Sequence, residues 1–241
     1  MGKKGYQHIV KRQATKLEMA AASLKTTLTN AGWLRNLSEA ASEIKEKCIG
    51  DDWLVDILDM EIPIEPPKHL KPGHLKGNLK MFVSIRMEGY GKAWNDEDDC
   101  IKSLCFKVDV RENNRKDDDK YFQTGFHIDK VNENDSQSEM HPLYHVHFLN
   151  ESKINGNEVL AMDVPRLAHH PVDVLLGILL VYANYNPEGY KKLLEDGHFM
   201  ALCRDSAKHI LYPYYRSLFN VSQFDGNIKE YDKLLCPYLT V

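Results

Sequence analysis

"LKMFVSIRM", residues 79–87, decides the fold class. Leu79, Met81, Val83, Ile85 and Met87 alternate with Lys80, Phe82, Ser84 and Arg86. A period of two belongs to an extended strand, whose side chains leave on opposite faces. The stretch therefore predicts a strand with one buried and one wet side. Three later runs repeat the pattern. In 103–111 the apolar face holds Leu104, Phe106, Val108 and Val110. In 121–129 it holds Phe122, Phe126 and Ile128, joined by Thr124. In 141–149 it holds Tyr144, Val146 and Phe148. "INGNEVLAMDV" (154–164) adds a fifth strand, with Asn155-Gly156 as a turn signal. The links are polar: "DEDD" at 96–99, "NNRKDDDK" at 113–120 and "NENDSQSE" at 132–139. Successive strands with short connections most simply make an antiparallel meander, which tolerates one wet face.

Helical patterns flank the strands. Leu17, Ala20, Ala21, Leu24 and Leu28 recur at helical spacing within 9–31, and Trp33, Leu34, Leu37, Ala41 and Ile44 do so within 33–48. Downstream, "VDVLLGILLVYA" (172–183) is apolar nearly all round, so it predicts a buried helix, with Pro171 in its first turn and Asp173 just after. Asn186-Pro187 starts another helix that ends at Gly197. A third covers 199–219, bent or broken at Pro213, and "IKEYDKLLC" (228–236) adds a short element. The expected fold is α+β: an antiparallel sheet of four or five strands, N-terminal helices, and a C-terminal helical section on the apolar face. The expected divisions are an N-terminal helical section (1–60), a Pro/Gly-rich connector (61–78, "EIPIEPPKHLKPGHLKGN") and an α+β domain (79–241). That domain divides into a sheet over 79–164 and helices over 171–220.

Bulk properties narrow the function classes. The 241 residues carry a formal net charge of -4, which argues against a uniformly basic nucleic-acid binder. Five scattered cysteines form no CxxC pair, as expected of a reducing compartment, and no apolar run reaches bilayer length. The expectation is a cytoplasmic protein without a membrane span. Lys3, Lys4, Lys11, Arg12 and Lys16 make the N-terminal segment the place where nucleic acid would bind, or else a solvated helix face.

Two constellations carry chemistry. His141, His145 and His147 fall on the polar side of the fourth alternating run. The same parity sends Ser84, Arg86, Lys107, Asp109, Gln123, His127 and Asp129 to that face. If the third and fourth runs pair with residue numbers summing to about 270, Asp129 faces His141, Gly125 faces His145, and His127 is diagonal to both histidines. Alternate histidines on one strand can share a metal. The candidate ligands are His145 and His147, with His141, His127 or Asp129 as the third, for a divalent ion such as zinc or manganese. The alternatives are a surface that binds phosphate or a nucleotide, and a sheet face that merely tolerates histidine or is covered by a partner. The second constellation is "PRLAHHPVD" (165–173). Arg166, His169 and His170 precede a helix start, where free N–H groups favour an anion. There the alternative is that Arg166 pairs locally and His170 caps the helix. The phosphate-loop, dinucleotide, zincin and serine-hydrolase signatures are absent from the sequence.

"HPLYHVHF" (141–148), "VPRLAHHPVDVLLGILLVYANY" (164–185) and "YPYYRSL" (212–218) resemble a group of bacterial proteins lacking an assigned activity. The resemblance covers under a fifth of the chain and implies a bacterial origin; a phage-defence or mobile-element setting is an expectation set beside it. "RDSAKH" (204–209) resembles the RxxxxH motif of HEPN-type ribonucleases over six residues, with Arg204 and His209 in its two places. Those domains are all-helical, unlike the strand-rich middle here. Two function classes follow. One is an accessory or interaction subunit of a bacterial assembly, working through a protein partner or self-association. The other is a His-dependent phosphodiesterase or nuclease, in which His145 and His147 bind metal or exchange protons and Arg166 steadies phosphate charge.

Overall fold

The structure is a computed structural model. It describes residues 3–28, 31–47, 52–64, 78–90, 99–113, 123–130, 142–148 and 167–223. Elements follow in the order α1 (Lys3–Thr27), α2 (Leu34–Lys47), β1 (Asp52–Ile62), β2 (Asn78–Tyr90), β3 (Ile101–Asn113), β4 (Gln123–Lys130), β5 (Tyr144–Phe148), β6 (Leu167–Ala168), α3 (Val174–Tyr185), α4 (Pro187–Glu195) and α5 (Gly197–Gln223). The class is α+β, with helices before and after an antiparallel sheet. Among the described residues the sheet has six strands in the order β1-β2-β3-β4-β5-β6, an unbroken meander.

Most residues of the apolar faces read from alternation are buried, but Thr124 and Phe148 are exposed and Phe126 and Val146 only half-buried, while Asp109 and His145 of the polar parity are buried. Met81, Val83, Ile85 and Met87 of β2, Leu104, Phe106 and Val108 of β3, Ile128 of β4 and Tyr144 of β5 are all buried. Helix α3 lies directly on this layer. A methyl group at Gly177 would collide with the Phe106 ring, so glycine is what lets the helix approach. α1 and α2 pack together through Leu17, Leu24, Leu37 and Ile44, and the indole N–H of Trp33 donates to the Tyr182 hydroxyl at 3.2 Å, tying this pair to α3.

The strand count differs from the four or five expected. Residues 52–60, grouped by sequence with the N-terminal helical section, form most of β1, which pairs with β2 from Asp52↔Tyr90 to Ile62↔Met81. Trp53, Val55 and Ile57 alternate correctly, but the register then shifts and the next buried residues are Met60 and Ile62. A bulge inserts the extra residue: Leu58 turns outward and Asp59 adopts φ 48°, a left-handed conformation that Asp tolerates. Ser84 holds the bulge by accepting from the Asp59 backbone N–H at 3.0 Å. The strand proposed over 154–164 and the element over 228–236 lie outside the described residues, as does 65–77 of the connector.

Two helix details also differ. α3 begins at Val174, with Asp173 as its N-cap and Pro171 before the helix. α5 runs unbroken through Pro213. Proline there cannot donate to the carbonyl of His209 four residues earlier. The Cys100 thiol takes that carbonyl instead, at 3.7 Å. Burial pushes the Cys100 thiol up to about 12, with the charge of Asp99 adding to it, so the proton it donates is held.

Candidate functional site

β3, β4 and β5 set the geometry of the polar face. β4 and β5 pair with numbers summing to 274: His127 faces His147 and Asp129 faces His145. The parity expected from sequence holds, but the register is displaced from the 270 alignment. Asp129 is thus not opposite His141, nor Gly125 opposite His145. On the other side, β3 sets Lys107 beside His127 and Cys105 beside Asp129. Two adjacent rows therefore cross the face, Cys105–Asp129–His145 and Lys107–His127–His147.

Cys105, His127 and Asp129 each offer a donor atom within 4.8 Å of the other two. His127 Nδ1 is 3.9 Å from Asp129 Oδ2, and His147 Nε2 is 3.0 Å from the same oxygen. The His127 and His147 rings meet edge-on with centroids 5.0 Å apart. Two atoms here are shielded from solvent and lack a hydrogen-bond partner, His127 Nε2 and Asp129 Oδ1; His147 Nε2 is shielded too, and its polar neighbour is Asp129 Oδ2. Such orphans are rare, since leaving one unmet costs about 1–3 kcal/mol. Tetrahedral zinc with bonds of about 2.0–2.3 Å places its donors about 3.3–3.7 Å apart. The cluster is looser than that spacing and would have to draw in around an ion, and its thiol, imidazole and carboxylate fit zinc better than manganese, because thiolate is a soft ligand.

The electrostatics have named causes. Desolvation lowers the His127 pKa first; Asp129 opposes this, while His147 and Lys107 add to it. The imidazole is accordingly biased to its neutral, ligating form. Cys105 is exposed as a residue, yet partial desolvation of its sulfur, then the charge of Asp129 and a hydrogen bond to it, push the thiol up to about 12. A metal ligating this sulfur must displace a proton.

The sequence-derived residues separate into groups. His127 and His147 converge with Asp129. His145 is buried, with its Nδ1–H donating to the Pro142 carbonyl at 3.1 Å, although its ring stays 5.8 Å from that of His147. His141 and Arg166 lie outside the described residues. His169 and His170 stack at 4.2 Å, and His169 donates from Nδ1 to the His170 carbonyl at 2.6 Å. Desolvation, then the charge of His169, lower His170 to about 4, so its ring is neutral at neutral pH. The α3 amides beyond them are taken: Asp173 accepts from Leu175 and Leu176 at 3.1 and 3.0 Å. Arg204 is exposed while His209 is buried with its Nδ1–H donating to the Asp205 carbonyl at 2.7 Å, so the RxxxxH pair does not converge. Cys105 was missed as a ligand. Its signal was available, because alternation puts it on the face of Lys107, but only the register shows that it meets Asp129.

The basic N-terminal segment is partly engaged internally. Lys16 pairs with Asp173 at 3.2 Å, and Arg12 pairs with Asp205 at 2.5 Å. Among the described residues, no helix is long and apolar enough to cross a membrane.

The chain was compared with family models, with curated proteins and with solved structures. Nothing matched in any of the three.

Proposed function

We propose that this protein binds a zinc-class ion on the polar face of its sheet and uses it to hydrolyse phosphodiesters. The observation that carries the reading is the convergence of Cys105, His127 and Asp129, with unpartnered atoms on His127 and Asp129. Three protein ligands leave a fourth tetrahedral position for water, the arrangement of catalytic rather than structural zinc sites. The ion would supply Lewis acidity and lower the pKa of that water. His147, whose Nε2 stands 3.0 Å from Asp129 Oδ2, is the group placed to exchange a proton with that water. His145 supports the strand from which His147 projects.

The test begins with elemental analysis of purified protein, followed by cleavage assays on single- and double-stranded nucleic acid. One zinc per chain is expected. Cys105→Ala and His127→Ala should lose zinc and cleavage together, whereas His147→Ala should keep zinc and lose cleavage. Wild-type protein that takes up no zinc, or cleavage indifferent to Cys105→Ala and His127→Ala, sinks the reading.

A second reading, an accessory subunit of a bacterial assembly, has its own observation. Tyr212, Tyr215 and Phe219 of α5 stand at i, i+3 and i+7, one helical stripe, and are 55%, 51% and 60% exposed. Aromatic stripes of this kind are common at protein interfaces. Zinc binding without cleavage, together with association that Tyr215→Ala and Phe219→Ala abolish, would favour it.

A further inference from the structure

The polar face carries a second pattern, in its cations. Lys80 pairs with Glu61 at 2.9 Å, Arg86 with Asp56 at 3.4 Å and Arg111 with Asp109 at 2.6 Å. At the ends of the sheet, Lys102 pairs with Asp52 and Lys130 with Asp99, each at 2.9 Å. Lys107 alone among these described sheet cations has no carboxylate partner. It is also the one beside the candidate ligands: directly across from His127, and two residues along the same strand face from Cys105.

Charge explains why this position matters. A thiolate, a carboxylate and a neutral imidazole around a divalent ion sum to zero. A neutral centre has no long-range attraction for an anion, whereas one unpaired ammonium at its rim makes the surface singly positive. Resting on the zinc reading above, we infer that Lys107 is the anion-binding residue of this centre and that its ligand is a singly charged phosphodiester group. Lysine suits the task because it binds phosphate as a compact point charge with rotatable donors. A lysine side chain is long enough to reach across the spacing of about 4.8 Å between strands to an oxygen of a group seated at the fourth metal position. Ser84, its neighbour on β2, is held by the Asp59 bulge, so the bulge keeps that hydroxyl from competing for the ammonium.

The experiment uses the zinc-loaded full chain, with zinc stoichiometry measured first. Dimethyl phosphate is then titrated as a diester probe, with acetate as the carboxylate comparison, and binding is followed by calorimetry or ligand-observed NMR. Wild-type protein should bind dimethyl phosphate in preference to acetate. Lys107→Gln should keep its zinc and bind the diester about tenfold more weakly or worse, and Lys107→Arg should restore much of the loss. The inference is overturned if Lys107→Gln binds as well as wild type, if acetate binds equally well, or if no diester binding is seen at tens of millimolar. Failure to load zinc is a different result: it overturns the metal centre, and the inference falls with it.

Discussion

Two polar clusters in this molecule are built from similar groups and solved in opposite ways. Beneath the helices, Lys16 and Asp173 are both 5% exposed at their side chains, and every contact between them is matched. Asp173 accepts from the Lys16 ammonium, from the Ser206 hydroxyl at 2.5 Å and from two α3 amides. On the far side of the sheet, His147 stands 3.0 Å from Asp129 Oδ2, yet His127 Nε2 and Asp129 Oδ1 are left without a partner. The difference teaches where each cluster's energy goes. A fully bonded buried carboxylate fixes how α1, α3 and α5 meet. A half-buried group with bare donor atoms contributes little to the fold and is free to meet something else.

The largest expected effect tests the first half of that contrast. Asp173→Ala should cost about 3–5 kcal/mol in urea denaturation, because it strands the Lys16 charge and uncaps α3. His127→Ala should change metal-free stability by about 1 kcal/mol or less. If both substitutions cost the same, the two clusters do not differ in kind. Zinc supplies the next effect. At a hundredfold excess over its dissociation constant it should stabilise wild-type protein by about 2.7 kcal/mol, read as a shift in thermal midpoint, and Cys105→Ala should abolish the shift. Affinity should also rise with pH, by roughly tenfold per unit while one thiol proton is displaced, because the Cys105 thiol sits near 12. A pH-independent affinity would remove Cys105 from the ligand set.

The smallest effect concerns His170. Its folded pKa, about 4, lies below the ordinary 6.5, so the unfolded chain binds more protons between those values. Stability should therefore fall as pH drops from about 6.5 toward 4, by a modest amount because the ring keeps partial exposure. His170→Gln should flatten that limb of the pH–stability curve. An unchanged limb assigns the acid sensitivity elsewhere.

The sequence made the pleat legible and left the register hidden. Parity follows from burial, so Met81, Phe106 and Ile128 could be set on one face and His127 and His147 on the other before any coordinates. Absolute alignment depends on how the polar link between β4 and β5 closes, and its composition carries no such information. Four units of register separated the expected neighbours from the real ones, and with them Cys105 from the ligand set. β1 escaped for a related reason: a single inserted residue at Asp59 breaks the alternation that would have identified it. Pro213 misled in the opposite direction. Its rule concerns a missing donor, and Cys100, distant in sequence, replaces that donor.

Arg12 and Asp205, which join α1 to α5, are separated by 193 positions along the chain. A ribosome adding about 5–20 residues per second makes the second about 10–40 s after the first. Through that interval the apolar side of the leading helix that later faces α5 has no permanent cover. A nascent chain of this protein should therefore be a client for holding chaperones until α5 emerges.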